Sequence, residues 1–129
     1  MDLKVKLGKG IILPNPVCAA SGTFGYGEEM VDFLNLNNLG AIFTKAVTLK
    51  PREGNPPPRI CEVTGGMLNA IGLANIGVES FIKDKIKFLK KLKSRIFVNV
   101  AGSSIKEYVE VIKKLNDSSG IDGYELNIS

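Results

Sequence analysis

The 129-residue chain has no histidine. That removes the Ser–His and Cys–His pairs that activate a nucleophile for covalent catalysis. It has two cysteines, Cys18 and Cys61, far apart and without neighbouring ligands, so no metal-site spacing exists and no metal is expected. Cys18 falls in an apolar segment and is expected to be a buried small hydrophobe. Nothing beside Cys61 points to an activated thiolate. No apolar run approaches the ~20 residues of a membrane span. The first residues, Met1-Asp2-Leu3-Lys4-Val5-Lys6, alternate charged and apolar side chains and lack the apolar stretch of an export signal. A cytoplasmic location is therefore expected. Net charge is +4, with much of the excess between Lys83 and Arg95. Phe88 is the one aromatic residue there, so the lysines are not interleaved with stacking platforms. A solvated helix face is expected, not a nucleic-acid surface.

What is present is the material of one ordinary domain. Hydrophobic residues make up 44% and charged residues 23%, enough for a single core at this length. Leu3 to Leu7 alternates and Ile11 to Leu13 follows across Gly8 and Gly10, which predicts a hairpin. Val17 to Ser21 predicts a short strand buried on both faces. The glycine-rich turn Gly22 to Gly27 leads into a helix predicted over 28–36. Its spacing is neither Gly-x-Gly-x-x-Gly nor a Walker motif, so no phosphate loop is expected. Gly40 to Thr48 predicts a second strand, interrupted near its C-terminal end by Lys45. A lysine there must reach solvent or meet an anion. Residues 49–64 are a long proline-rich loop, expected to be an ordered cover.

Val78, Ile82, Ile86, Leu89 and Leu92 form a stripe at helical spacing, predicting a helix over 78–92. Arg95 to Gly102 predicts a third strand broken by Asn99. Ser104-x-x-Glu107 is a capping box that opens a helix running to about Leu115. Gly123 to Ser129 predicts a fourth strand, with Asn127 near its end. Alternation of this kind gives an α/β protein with a parallel sheet and right-handed crossovers. Ser21, Lys45, Asn99 and Asn127 all fall at or near the C-terminal ends of strands. In α/β folds, and (β/α)8 barrels above all, that end carries the active site. Gly65 to Asn75 is uncharged and too glycine-punctuated for a helix or strand, so it reads as a loop. Its backbone can approach a ligand while Asn69 offers a donor and an acceptor, as a pyrimidine would require. The alternative is an ordered surface loop with asparagines in turn positions.

Six stretches resemble the N-terminal half of the dihydroorotate dehydrogenase family. They are Ala20 to Gly25, Thr44 to Thr48, Pro51 to Pro56, Gly66 to Leu73, Asn99 to Gly102 and Glu125 to Ser129, in the family's order. The Asn-Ala-Ile-Gly-Leu and Pro-Arg-Glu-Gly-Asn-Pro forms are similar to the class 1B catalytic subunit. The resemblance implies the first four βα units of a (β/α)8 TIM-type barrel spanning residues 1–129. It implies FMN-dependent oxidation of dihydroorotate to orotate in pyrimidine biosynthesis. Ser21, Lys45, Ala46, Asn99 and Asn127 would contact FMN. Lys45, Asn69, Ala70, Ile71, Gly72, Leu73 and Asn127 would hold dihydroorotate. It further implies a homodimer, and a partner subunit carrying FAD and a 2Fe–2S cluster.

The family's catalytic cysteine would follow Ser129, so no catalytic base is expected within the chain and little turnover is expected from it alone. Truncation of a longer enzyme is the reading adopted, since four strands cannot close a barrel and leave open edges. Two rivals remain. One is the pyrimidine-reducing barrel of dihydropyrimidine dehydrogenase, which activity on uracil would mark. The other is a non-catalytic half-barrel that only associates.

Overall fold

The computed structural model describes residues 2–129. The chain opens on an antiparallel hairpin of β1 (Val5–Gly8) and β2 (Ile11–Leu13). β3 (Cys18–Ala19) and β4 (Ala41–Phe43) follow. A second antiparallel hairpin pairs β5 (Ile60–Val63) with β6 (Gly66–Asn69). Then come α1 (Gly77–Ser80), a π-helical turn (Phe81–Lys85) and α2 (Ile86–Leu89). β7 (Arg95–Val100), α3 (Ile105–Asn116) and β8 (Gly123–Leu126) complete the order. Strands β3, β4, β7 and β8 form one parallel sheet in that spatial order.

Register divides the sheet into two faces. Ile42 pairs with Ile96, and Val98 with Tyr124, on the outer face. There Ile42, Ile96, Val98 and Val100 pack with Val78, Phe81 and Leu89, and with Val111 and Leu115 of α3. Each such side chain contributes about 1.5–3 kcal/mol on burial. On the inner face Phe43 pairs with Phe97, and Phe97 with Gly123. The Phe43 and Phe97 rings stack at 4.7 Å, and the first hairpin covers this end of the sheet with Leu13. A Cβ on Gly123 would stand 2.7 Å from the Phe97 ring, so glycine is what lets that ring lie flat. The inner face is thus apolar at its N-terminal end and free for polar residues at the other.

Several expectations change. Residues 28–36 do not form one helix but two 3-10 turns, Glu28–Met30 and Leu36–Asn38. Of the apolar residues there only Leu36 is buried, while Val31, Phe33 and Leu34 stay exposed. Asn35 also turns its side chain onto the Asn37 amide. Without an apolar partner a helical nucleus does not propagate. Gly66–Asn69 is a strand rather than a loop, because Gly65, at φ 77, makes the turn that returns it onto β5. The proline-rich cover therefore ends in half of a hairpin.

The 78–92 helix begins at Gly77, and its regular part ends at Leu89. The π turn adds a residue to one turn, and Phe81 joins Val78, Ile86 and Leu89 in the core while Ile82 is only half-buried. Cys18 is exposed, not buried. Its partner in register, Ala41, belongs to the core cluster around Leu13, but Cys18 stands on an edge strand with no strand beyond it among the described residues. The capping box is half-made: Ser104 Oγ accepts from the Glu107 amide, but the Glu107 carboxylate accepts from the Ser103 amide. β3 and β8 are sheet edges, and among the described residues no further strand pairs with them.

Candidate active site

A cleft of about 860 Å³ lies at the C-terminal ends of the four parallel strands. Ser21, Lys45, Ala46, Asn99 and Asn127 line it from the sheet. Asn69, at the end of β6, and Ile71, Gly72 and Leu73 just after it line it from the second hairpin's side. Ala70 does not line it. Its amide donates to Arg59 O and its carbonyl accepts from Asn55 Nδ2, so it fastens the segment from behind.

Lys45 reaches the cleft through an irregularity in the strand. Phe43 pairs with Phe97, yet Val47 bridges to Val100, so four residues of one chain run beside three of the other. The extra residue is a bulge, the device that re-aims side chains beside active sites. It delivers Val47 to the outer core and leaves Lys45 half-buried on the cleft. Among the described residues, no ion pair holds its ammonium.

The floor is a polar cluster. Asn99 is buried, and its Nδ2 donates to Glu125 Oε1 at 2.6 Å. Ser21 Oγ donates to the same oxygen at 2.8 Å. Asn127 Nδ2 donates to Asn99 Oδ1 at 3.4 Å, and Tyr108 donates its hydroxyl to the Asn127 carbonyl. Glu125 is a residue that the reading of the sequence did not place in the site. Its signal was available: it sits two residues before Asn127, on the same face of the strand. Arg59 and Ile60 also border the cleft and were not anticipated.

The loops over the cleft are braced against each other. The Asn55 amide donates to Ile71 O at 3.0 Å, and Asn55 Nδ2 donates to Ala70 O at 2.8 Å. Gly54 packs against the Ile71 carbonyl and Gly72 against Asn55, too closely for a Cβ at either position. Asn75 is buried, with Oδ1 accepting from the Thr48 and Gly77 amides and Nδ2 donating to Leu73 O. The proline-rich segment is therefore an ordered brace.

Tyr26 lies under Ala46, donating its hydroxyl to the Ala46 carbonyl at 3.3 Å and packing on Phe81. Burial raises its pKa above the usual tyrosine value. Below pH ~10 the phenol is neutral folded or unfolded, and its contribution is whole. Above that, the unfolded chain ionises first, so stability falls as pH rises towards the folded pKa. Tyr26→Phe is expected to flatten part of that alkaline decline in urea melts between pH 9 and 11. An unchanged slope would show that the phenol plays no part.

The fold is that of a partial (β/α)8-type barrel, with the cleft at the C-terminal ends of its strands. The chain belongs to the dihydroorotate dehydrogenase family, whose pattern it matches over residues 2–129. It is 51% identical over 128 residues to "Dihydroorotate dehydrogenase B (NAD(+)), catalytic subunit" of Geobacter metallireducens. That match covers 99% of this chain and 42% of the relative. It is 50% identical over its full length to the protein of the same name from Thermoanaerobacter sp., again 42% of that chain. The chain thus spans less than half the length of these relatives. A crystal structure of the Eimeria tenella enzyme in complex with ferulenol shares the fold, with a TM-score of 0.73 at 22% identity. The likeness covers 99% of this chain and 37% of that one. No described helix is long and apolar enough to cross a membrane, and no metal-binding cluster occurs among the described residues.

Proposed function

We propose that the chain supplies the ring-facing and substrate-facing part of an FMN-dependent dihydroorotate dehydrogenase site, acting in pyrimidine biosynthesis. The observation that carries this reading is the gathering of Lys45, Asn69, Asn99 and Asn127 around one cleft within a chain of that family. The donor set fits an isoalloxazine ring, whose carbonyl-bearing edge needs N–H groups and a cation beside it. Bound FMN would supply the hydride acceptor. Ser21, Lys45, Ala46, Asn99 and Asn127 would hold it, with the Lys45 ammonium facing negative charge at the ring edge. Lys45, Asn69 and Asn127 would meet the imide edge and carboxylate of dihydroorotate. Ile71, Gly72 and Leu73 would cover it, with Ala70 keeping that cover in place.

Titrating FMN into the purified chain tests the reading by flavin absorption and fluorescence. Saturable binding is expected, and orotate is expected to perturb the bound flavin spectrum where uracil does not. A folded chain that leaves FMN free in solution overturns the flavin assignment. Perturbation by uracil alone would transfer the site to the dihydropyrimidine dehydrogenase type.

The relatives are named catalytic subunits, which supports a second, electron-transferring subunit; FAD and a 2Fe–2S cluster are proposed for it on the same ground. Self-association of the whole barrel is proposed on the second hairpin, where Ile60, Val63, Met67 and Leu68 are all exposed. Leu68→Asp is then expected to lower the sedimentation coefficient of a self-associated species. A wild-type chain that sediments as a monomer at every concentration would exclude the hairpin as such a surface.

A further inference from the structure

The polar groups on the cleft floor form a directed chain. Ser21 Oγ and Asn99 Nδ2 both donate to Glu125 Oε1, at 2.8 and 2.6 Å. Asn99 Oδ1 accepts from Asn127 Nδ2 at 3.4 Å. Asn127 Oδ1 accepts from the Ser129 amide and hydroxyl, at 3.2 and 2.6 Å. A carboxylate has no proton to give, so both of its neighbours must donate. An asparagine amide presents nearly the same shape when turned end for end, with donor and acceptor exchanged. Turning Asn99 would set its carbonyl oxygen against the Glu125 oxygen at 2.6 Å, two acceptors in contact. The carboxylate forbids that state, and through Asn99 it also forbids the turned state of Asn127.

We propose that Glu125 is a positioning residue that fixes the orientation of the Asn99 and Asn127 amides, so that the floor offers N–H groups to a carbonyl-bearing ring. The proposal rests on the flavin reading for the identity of that ring but not for the relay itself. Each link is short-range and directional, and the bonds to the charged group are the strong ones. With Asn127 Oδ1 engaged by Ser129, its second Nδ2 proton has no partner among the described residues. Together with the Lys45 ammonium, it makes this part of the cleft a donor surface. A ring edge rich in acceptors is selected, and one rich in N–H groups is rejected. Register explains how a single residue does this: Glu125 pairs with Asn99 across β7 and β8, so their side chains are neighbours on one face.

The role predicts an order of substitutions. Glu125→Gln can still offer Asn99 an acceptor oxygen, but its amide can also turn and donate, so it no longer forbids the turned state. Glu125→Leu keeps the approximate volume and loses the acceptor. If the acceptor-only carboxylate is what fixes the amides, glutamine loosens the relay and leucine releases it.

The test is the side-chain amide spectrum of Asn99 and Asn127 in the 15N-labelled 129-residue chain without ligand, followed by FMN titration of the same samples. Asn99 side-chain protons are expected to exchange with water about tenfold faster in Glu125→Leu than in wild type, with Glu125→Gln between the two. FMN binding is expected to weaken about tenfold in Glu125→Leu and by less in Glu125→Gln. A through-hydrogen-bond coupling from Asn99 Nδ2 to the Glu125 carboxyl carbon reads the same bond without any substitution, should the leucine variant not fold. Equal exchange in wild type and Glu125→Leu, or the absence of that coupling, overturns the proposal. So does a glutamine variant indistinguishable from wild type, since an acceptor-only group would then not be what fixes the amides. A protected Asn99 amide in a chain that binds no FMN supports the relay and removes the flavin reading alone.

Discussion

Lys45→Ala is expected to weaken FMN binding by about 10- to 100-fold, the equivalent of a lost charge-assisted hydrogen bond of roughly 1.5–3 kcal/mol. The size follows from the setting. The lysine is half-buried on the cleft and in no ion pair among the described residues, so its ammonium is uncommitted until a ligand arrives. The bulge that places it is held by backbone, with the Lys45 amide donating to Gly25 O and the Val47 amide to Asn99 O. The substitution should therefore leave the fold intact, with unfolding free energy within about 0.5 kcal/mol of wild type. Lys45→Met separates charge from packing, since it keeps most of the stem. It should bind FMN as weakly as the alanine variant. Binding restored by methionine would assign the effect to the alkyl chain instead.

Asn75→Ala is expected to cost about 3–4 kcal/mol of folding stability, read as a lower urea midpoint at an unchanged slope. The side chain is buried and joins three parts of the chain. It accepts from the Thr48 and Gly77 amides, at 3.2 and 2.9 Å, and donates to the Leu73 carbonyl at 2.9 Å. Alanine would strand two buried donors and one acceptor, each worth about 1–3 kcal/mol when left unmade. Asn75→Asp would keep the acceptor but set a second carboxylate oxygen against the Leu73 carbonyl in a buried place, so it should not restore wild-type stability. The backbone of Asn75 also exchanges two hydrogen bonds with Arg52, so the loss should spread into the loop over the cleft. A ligand that needs that loop would bind more weakly even where the chain remains folded. A stability change below about 1 kcal/mol would mean that water replaces the amide and that the hub is not structural.

The sheet was legible because its strands are buried on the outer face and two of the three connections between them carry an apolar helical stripe. Val78, Ile86 and Leu89, or the run from Ile96 to Val100, state their own periodicity. The cleft residues were legible because polar interruptions at Lys45, Asn99 and Asn127 stand out within apolar strands. Legibility failed where tertiary partners decide the outcome. In residues 28–36 only Leu36 and, in part, Met30 reach the core, while Val31, Phe33 and Leu34 stay exposed. The second hairpin was hidden because its glycines read as interruptions, when Gly65 is the turn that creates it. Cys18 followed local apolarity, whereas exposure is set by its place on an edge strand. Glu125 and Asn75 were passed over for a different reason. Their importance lies in what they accept hydrogen bonds from, and those donors come from distant parts of the chain.

The bond from Ser21 to Glu125 joins residues 104 positions apart. At a ribosome adding roughly 5–20 residues per second, the first partner waits several seconds or more for the second to be synthesised. The outer core and the first hairpin can assemble in that interval, but the floor of the cleft cannot. A cofactor that needs the finished floor is then a late arrival, unable to guide early folding and able only to hold the closed state once it exists. Cells starved of that cofactor would lose occupancy of the site without losing the ability to build it.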